Sequence, residues 1–159
     1  MPIDGKLFRT AMGRLPTGVT VLVAVAPEGG YIGMTASAVT SLSLDPPMVL
    51  ACIGHAAIAH AALTTGRAFS LNVLAEDQEE VSRRFASRDR QRFDGAGCAH
   101  TPAGLPRLPG VLASLELRRA ALYEGGDHTI VTGVVEWAWA RDGAPLLYYL
   151  GGYGRLAVP

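Results

Sequence analysis

Apolar positions change their period along this chain, and the change maps its elements. Near the N-terminus Leu7, Phe8, Ala11, Met12 and Leu15 recur at helical spacing behind Asp4, a residue suited to capping, and Pro16 and Gly18 end the run. Residues 19–26 are apolar and β-branched, and Pro27, Glu28, Gly29 and Gly30 make a turn. Residues 31–39 read as the hairpin partner strand. Residues 48–53 form another buried strand. Residues 56–65 are alanine-rich and predict a helix stopped at Gly66. Residues 68–74 predict a strand. Residues 76–87 predict a helix with acids first and Arg83 and Arg84 late, the order the helix dipole favours.

The last third alternates with a period of two. Leu115, Leu117, Arg119, Ala121 and Tyr123 share one face, Gly125, Gly126 and Asp127 turn, and residues 129–140 return as a long strand. Asp142-Gly143 is a hairpin signal, followed by a strand over residues 146–150. About six strands, short turns and few helices predict a mainly β fold with flanking helices, an antiparallel barrel in one domain over residues 1–159.

Composition narrows the chemistry. The chain is 49% hydrophobic and its formal net charge is zero, which argues against a nucleic-acid partner. Lys6 is the only lysine, which removes a P-loop and any Schiff-base lysine but Lys6 itself. No apolar run approaches the length of a membrane span, and residues 1–10 carry Asp4 and lack the apolar core of a signal peptide. Cys52 and Cys98 therefore read as two reduced thiols of a cytoplasmic protein. Gly95, Gly97 and His100 do not make a dinucleotide fingerprint, because the third glycine and the preceding strand are missing.

The densest chemistry lies between residues 33 and 47. Thr35, Ser37, Thr40, Ser41 and Ser43 put five hydroxyls within nine residues, and Pro46-Pro47 closes the segment. On an extended strand Thr35 and Ser37 share one face while Ala36, Ala38 and Thr40 share the other. Small residues leave room for a flat ring against the backbone. Thr40, Ser41 and Ser43, read as a loop, offer hydroxyls and N–H groups to a phosphate. His55 and His60 raise a metal reading, but five residues apart they do not share a helical face and no acid or cysteine follows at ligand spacing, so no metal site is expected.

This hydroxyl segment resembles the flavin-binding segment of the short-chain flavin reductases, the reductase components of two-component flavin monooxygenases. Three further stretches match in the same order: Phe69-Ser70-Leu71-Asn72-Val73-Leu74, Gly126-Asp127-His128-Thr129, and Pro145 through Tyr153. The resemblance implies a six-stranded antiparallel split barrel of Greek-key type, a homodimer, FMN or FAD as the flavin and NADH or NADPH as hydride donor. It also implies a flavin-dependent monooxygenase as the consumer of reduced flavin. By resemblance Ala36 and Ser37 meet the ring edge, Thr40 and Ser41 the phosphate, and Thr35, Ser43, Asn72, Arg92, Phe93 and Tyr153 are further cofactor contacts. His128 is placed on the nicotinamide side as the catalytic residue. The chain departs from the pattern at residues 56–59, Ala-Ala-Ile-Ala, where the family often carries a serine or threonine for the phosphate. Either His60 or an arginine then substitutes, or flavin is held less tightly. A non-catalytic flavin-binding protein and a pyridoxamine-phosphate oxidase-like enzyme are the alternatives on a related barrel.

Overall fold

The computed structural model describes residues 2–88 and 91–156. Helix α1 (Gly5–Met12) is capped as predicted: the Asp4 carboxylate accepts from the N–H groups of Lys6 and Leu7 at 3.2 and 3.4 Å. Strand β1 (Thr17–Gly18), β2 (Thr20–Val25), β3 (Tyr31–Ala36), β4 (Val39–Leu44) and β5 (Pro47–Gly54) follow. Then come α2 (His60–Thr65), β6 (Ala68–Val73), α3 (Glu79–Ala86), β7 (Arg92–Phe93), β8 (Ala99–His100) and β9 (Pro106–Arg107). The chain ends with the long pair β10 (Ala113–Gly125) and β11 (His128–Ala140), then β12 (Leu146–Tyr149) and β13 (Gly152–Arg155).

The main sheet has eight strands rather than six, in the order β4-β5-β11-β10-β6-β2-β3-β7. Its ladder does not close into a barrel, yet the sheet must curl. β3 and β4 stand seventh and first in the order but are joined by only Ser37 and Ala38. A flat sheet would separate them by six strand spacings, about 29 Å. Two linking residues reach roughly 10 Å. The apolar residues confirm the curl, since Leu22, Ile32, Ala51, Ile53, Leu117 and Val131 meet in one cluster although they come from strands spread across the ladder.

Both faces of the central strands are covered. Val21 and Val23 face one way and Leu22 and Ala24 the other, and all four are fully buried, which explains the unbroken apolar run of β2. Leu22 and Ala24 belong to the inner cluster. Val21 and Val23 belong to an outer cluster with Phe85 of α3, Leu108 and Val111. Gly33 lets α3 close on this outer face, since a Cβ there would lie 2.9 Å from the Phe85 ring.

Four local expectations change. The predicted strand over residues 31–39 is two strands, broken at Ser37 and Ala38. The helices at 56–65 and 76–87 start later, at His60 and Glu79. In the second case the Gln78 side chain takes the Ala75 N–H at 2.9 Å and donates to the Pro109 carbonyl at 2.7 Å, which holds residues 75–78 in a turn. Asp142-Gly143 makes no hairpin. Residues 144–146 instead lie across the ends of β2 and β6: Leu146 N–H donates to Leu74, Glu76 N–H to Ala144, and Val19 N–H to Leu146. Strand β12 consequently joins β1 and β13 in a separate three-stranded sheet.

Candidate functional site

Where the sheet curls, its inner face opens into a cleft of about 1020 Å³. That is at the upper end of the usual range for small-molecule sites. Its walls are apolar: Val39 and Val49 on one side, Leu71, Val73 and Leu115 on the other. One rim is the crossing segment, which presents Ser37, Thr40 and Ser41. Facing it are Thr17 of β1 and the turn after β12, with Tyr148 and Tyr149. Helix α1 supplies Phe8, Arg9 and Met12. Arg9 is the one charged side chain among the lining residues, and no carboxylate or imidazole lines the cleft.

Three of the predicted site residues, Ser37, Thr40 and Ser41, line this cleft together. Thr40, Ser41 and Ser43 do not form the expected loop. They lie on β4, paired with β5 across a register shift between Ser41 and Ser43, and the cis Asp45–Pro46 peptide lies in the turn that follows. Ser43 is not part of the lining. Thr35 points to the outer face, where its hydroxyl donates to the Ser82 carbonyl at 2.6 Å. Ala36 is buried, and its carbonyl accepts from the Thr20 hydroxyl at 2.7 Å.

The remaining predicted contacts lie elsewhere. Asn72 is fully buried on the outer face, and protein groups engage its amide. Its oxygen accepts from Leu108 N–H and the Ser114 hydroxyl, both at 3.1 Å, and its nitrogen reaches the Val21 carbonyl and Ser70 Oγ at 3.4 and 3.3 Å. Arg92 and Phe93 sit on the short edge strand β7. Arg92 pairs with Glu28, and Phe93 packs against Tyr31 and Phe85. Tyr153 stands behind the cleft rather than in it. Its hydroxyl meets Ser82 Oγ at 2.8 Å, and its ring supports Tyr148 edge-on at 5.5 Å.

His128 opens β11 opposite Gly54, two residues beyond the cleft-lining Cys52 and so about 7 Å further along the strand. Its turn is the expected one, with Gly126 at φ +75°. Its Nδ1 meets Asp127 Oδ1 at 2.7 Å, and this bond holds the Asp127 carboxyl below the usual carboxylate range. His55 and His60 pack edge to face at 5.3 Å, and His60 Nε2 meets Thr129 Oγ1 at 2.9 Å. Among the described residues no group of three or more histidines, cysteines and acids is arranged to hold a metal. No helix there is long and apolar enough to cross a membrane.

On the second half of the rim, Tyr148 and Tyr149 fall in the matching stretch from Pro145 to Tyr153, but sequence reading missed Thr17 and α1. Thr17 Oγ1 is buried without a hydrogen-bond partner and belongs to the lining. The apolar residues of α1 share a face as their spacing predicts, yet no α1 residue is buried: Leu7, Phe8 and Met12 are 58%, 54% and 49% exposed. Helical periodicity identifies an apolar face but not what covers it.

An apolar cleft edged with hydroxyls and one cation suits an aromatic ligand with an anionic tail. A family model described as a flavin reductase like domain matches residues 12–157. The chain is similar to FMN reductase (NADH) SmoA of Agrobacterium fabrum, at 42% identity over 154 residues, 97% of this chain and 87% of that protein. It is 40% identical over 154 residues to the reductase component of a 4-nitrophenol 4-monooxygenase/4-nitrocatechol 2-monooxygenase from Rhodococcus opacus, covering 97% of this chain and 82% of the relative. Among solved structures, the NADH:FAD oxidoreductase SgcE6 of Streptomyces globisporus in complex with NAD and FAD fragments superimposes with a TM-score of 0.89 at 37% identity. That match covers 99% of this chain and 97% of the other. With a match that spans nearly the whole length and a fold shared at this level, the chain belongs to the flavin reductase-like family.

Proposed function

We propose that this protein is an NADH-dependent flavin reductase that passes reduced flavin to a partner monooxygenase. One observation carries the reading: the cleft has the size and apolar walls for a ring system, yet no carboxylate or imidazole lines it. A bound flavin supplies the missing chemistry by accepting hydride from the nicotinamide. The protein's part is to bind, orient and exclude water. Val39, Val49 and Leu71 would cover the ring faces. Ser37 and the backbone at Ala38 would meet its polar edge, where oriented donors stabilise developing negative charge. Thr17 Oγ1 gains a partner when a polar ligand atom enters, which removes the cost of burying it unpaired.

The phosphate end is assigned to Arg9 with Thr40 and Ser41. His60 is already engaged by Thr129, so it is not free to replace the hydroxyl missing from residues 56–59. His128 is proposed to orient the nicotinamide. The bond to Asp127 occupies Nδ1 and leaves Nε2 available. SmoA is named for FMN and the Streptomyces enzyme for FAD, so either flavin suits the reading, with NADH as donor in both names. The purified protein should oxidise NADH when FMN or FAD is added. Failure with both flavins, with NADPH also tried, overturns the assignment.

The working unit is proposed to be a homodimer of a single-domain chain, residues 1–159, in the cytoplasm. An amphipathic α1 with no buried residue, together with Leu44 at 93% exposure, leaves apolar surface that a second copy would cover. Sedimentation at micromolar concentration should give a dimer. A monomer alone would remove this part of the proposal.

A further inference from the structure

The outer face of the sheet carries a second concavity, of about 200 Å³, lined by Arg107, Gly110, Trp139 and Arg141 among others. It opens away from the cleft. Trp139 pairs with Ser114, and the cleft-lining Leu115 next along β10 points to the other face.

Two guanidinium groups border this small space, and among the described residues no carboxylate pairs with either. The ion pairs among the described residues lie at Arg83, Arg92, Arg118, His128 and Arg155. Arg141 bonds only to neutral carbonyls: Nε to Val111 at 3.0 Å, Nη2 to Gly110 at 2.6 Å and Nη1 to Asp142 at 3.2 Å. A guanidinium has five N–H donors, so two of them remain. Arg107 lies over the Trp139 ring with its central carbon 4.1 Å from the centroid. Among the described residues its N–H groups make no hydrogen bond to the protein.

The frame around these cations is rigid. Asn72 takes the Leu108 N–H, and Ser70 Oγ donates to the Pro106 carbonyl at 2.8 Å, so the strap bearing Arg107 is fixed on both sides of it. Arg141 clamps the Gly110–Val111 backbone by its own bonds. Two like charges held close together repel, and a ligand with two or more anionic oxygens relieves that repulsion while filling the unused donors.

We infer that this pocket is a binding site for a small oxyanion of the phosphate or carboxylate class, on the opposite face of the sheet from the cleft. The test titrates the folded protein with inorganic phosphate and, separately, succinate, by calorimetry and thermal unfolding. Chloride at equal ionic strength is the control. Arg107→Gln is the informative variant, because its guanidinium makes no hydrogen bond among the described residues. Arg141→Gln also loosens the loop, so it is read only where circular dichroism matches wild type.

Saturable millimolar binding of at least one probe, weakened about tenfold or more by Arg107→Gln in a folded protein, is the expected result. The melting temperature should rise with that anion and not with chloride. Binding that does not saturate, that chloride reproduces, or that Arg107→Gln leaves unchanged overturns the site. So does saturable binding of a glutamate-rich peptide with neither probe bound, which would make the face a protein-docking surface. Because the cleft is on the other face, none of these outcomes bears on the flavin reading.

Discussion

The two faces of the sheet use the same polar residue types for opposite ends. On the outer face Ser70, Asn72 and Ser114 sit among apolar side chains, fully buried, and their polar atoms pair with protein groups. On the inner rim Ser37, Thr40 and Ser41 are exposed, and among the described residues the one hydrogen bond their side chains make is a long 3.3 Å contact from Thr40 to its neighbour's carbonyl. Thr17 Oγ1, buried on the facing rim, has no partner among the described residues. Polar groups paired inside the protein hold a fold together, whereas unpaired ones gathered at a cleft are available to a ligand. The contrast predicts that mutations on the rim change binding and mutations on the outer face change stability.

The largest effect should follow from filling the rim. Ser37→Tyr puts a ring where the cleft is lined by small residues, at an exposed position where nothing has to repack. Flavin affinity should fall by roughly two orders of magnitude or more, on the order of 3 kcal/mol, with the unfolding midpoint nearly unchanged. A folded variant that keeps its flavin affinity would place the site elsewhere.

On the outer face the largest effect belongs to Asn72→Ala. It strips the acceptor from Leu108 N–H and from the Ser114 hydroxyl in a dry environment. At roughly 1–3 kcal/mol for each group left unsatisfied, a stability loss of about 2–6 kcal/mol is expected by urea unfolding. Flavin affinity per folded molecule should hold. If it falls instead, Asn72 acts on the ligand and the comparison between the faces fails.

Asn72 also shows how far the sequence could be read. As the chain's lone asparagine on an apolar strand, it marks a polar site that needs partners, but those partners come from residues 36 and 42 positions away. Contacts that distant leave no local pattern. The strands themselves were legible because alternation and β-branching are local, and the Asp4 cap and the turn before His128 for the same reason. The number of strands was not. Strand β4 looks like a ligand loop because its serines and threonines suit either state, and only pairing with β5 decides between them. Family resemblance named the rim hydroxyls, while the opposite rim, Thr17 with Tyr148 and Tyr149, is assembled by the three-stranded sheet that the Asp142-Gly143 signal conceals.

His128 lies just past the end of the cleft, and its variant tests how far the site extends. His128→Ala should lower kcat/KM for NADH by roughly 2- to 150-fold, the range for losing one hydrogen bond to a ligand. Flavin affinity should change little. The bond to Asp127 adds a pH signature. The Asp127 carboxyl is held below its ordinary range by His128, so any support it lends is present above the unfolded carboxylate's pKa, about pH 4. That support is lost as pH falls through the lower folded value. Asp127→Asn should therefore flatten the acid limb of the NADH profile. An unchanged profile in Asp127→Asn together with full activity in His128→Ala would leave the turn with no part in the reaction.

The finest test makes one substitution in both places. Ser114→Ala removes a buried hydroxyl that donates to Asn72 at 3.1 Å, and the expected cost is about 1 kcal/mol of stability with no change in ligand affinity. Ser41→Ala removes an exposed hydroxyl on β4, so stability should stay within about 0.5 kcal/mol. Flavin affinity should fall about two- to tenfold, the share of one neutral hydrogen bond to a ligand. The chemical change is the same at both positions, so any difference must come from what each hydroxyl faces. Stability loss at Ser41 would mean that β4 needs its hydroxyls for folding. Affinity loss at Ser114 would mean that the two faces are coupled through β10, whose Leu115 lines the cleft one residue along from Ser114 on the other side of the strand.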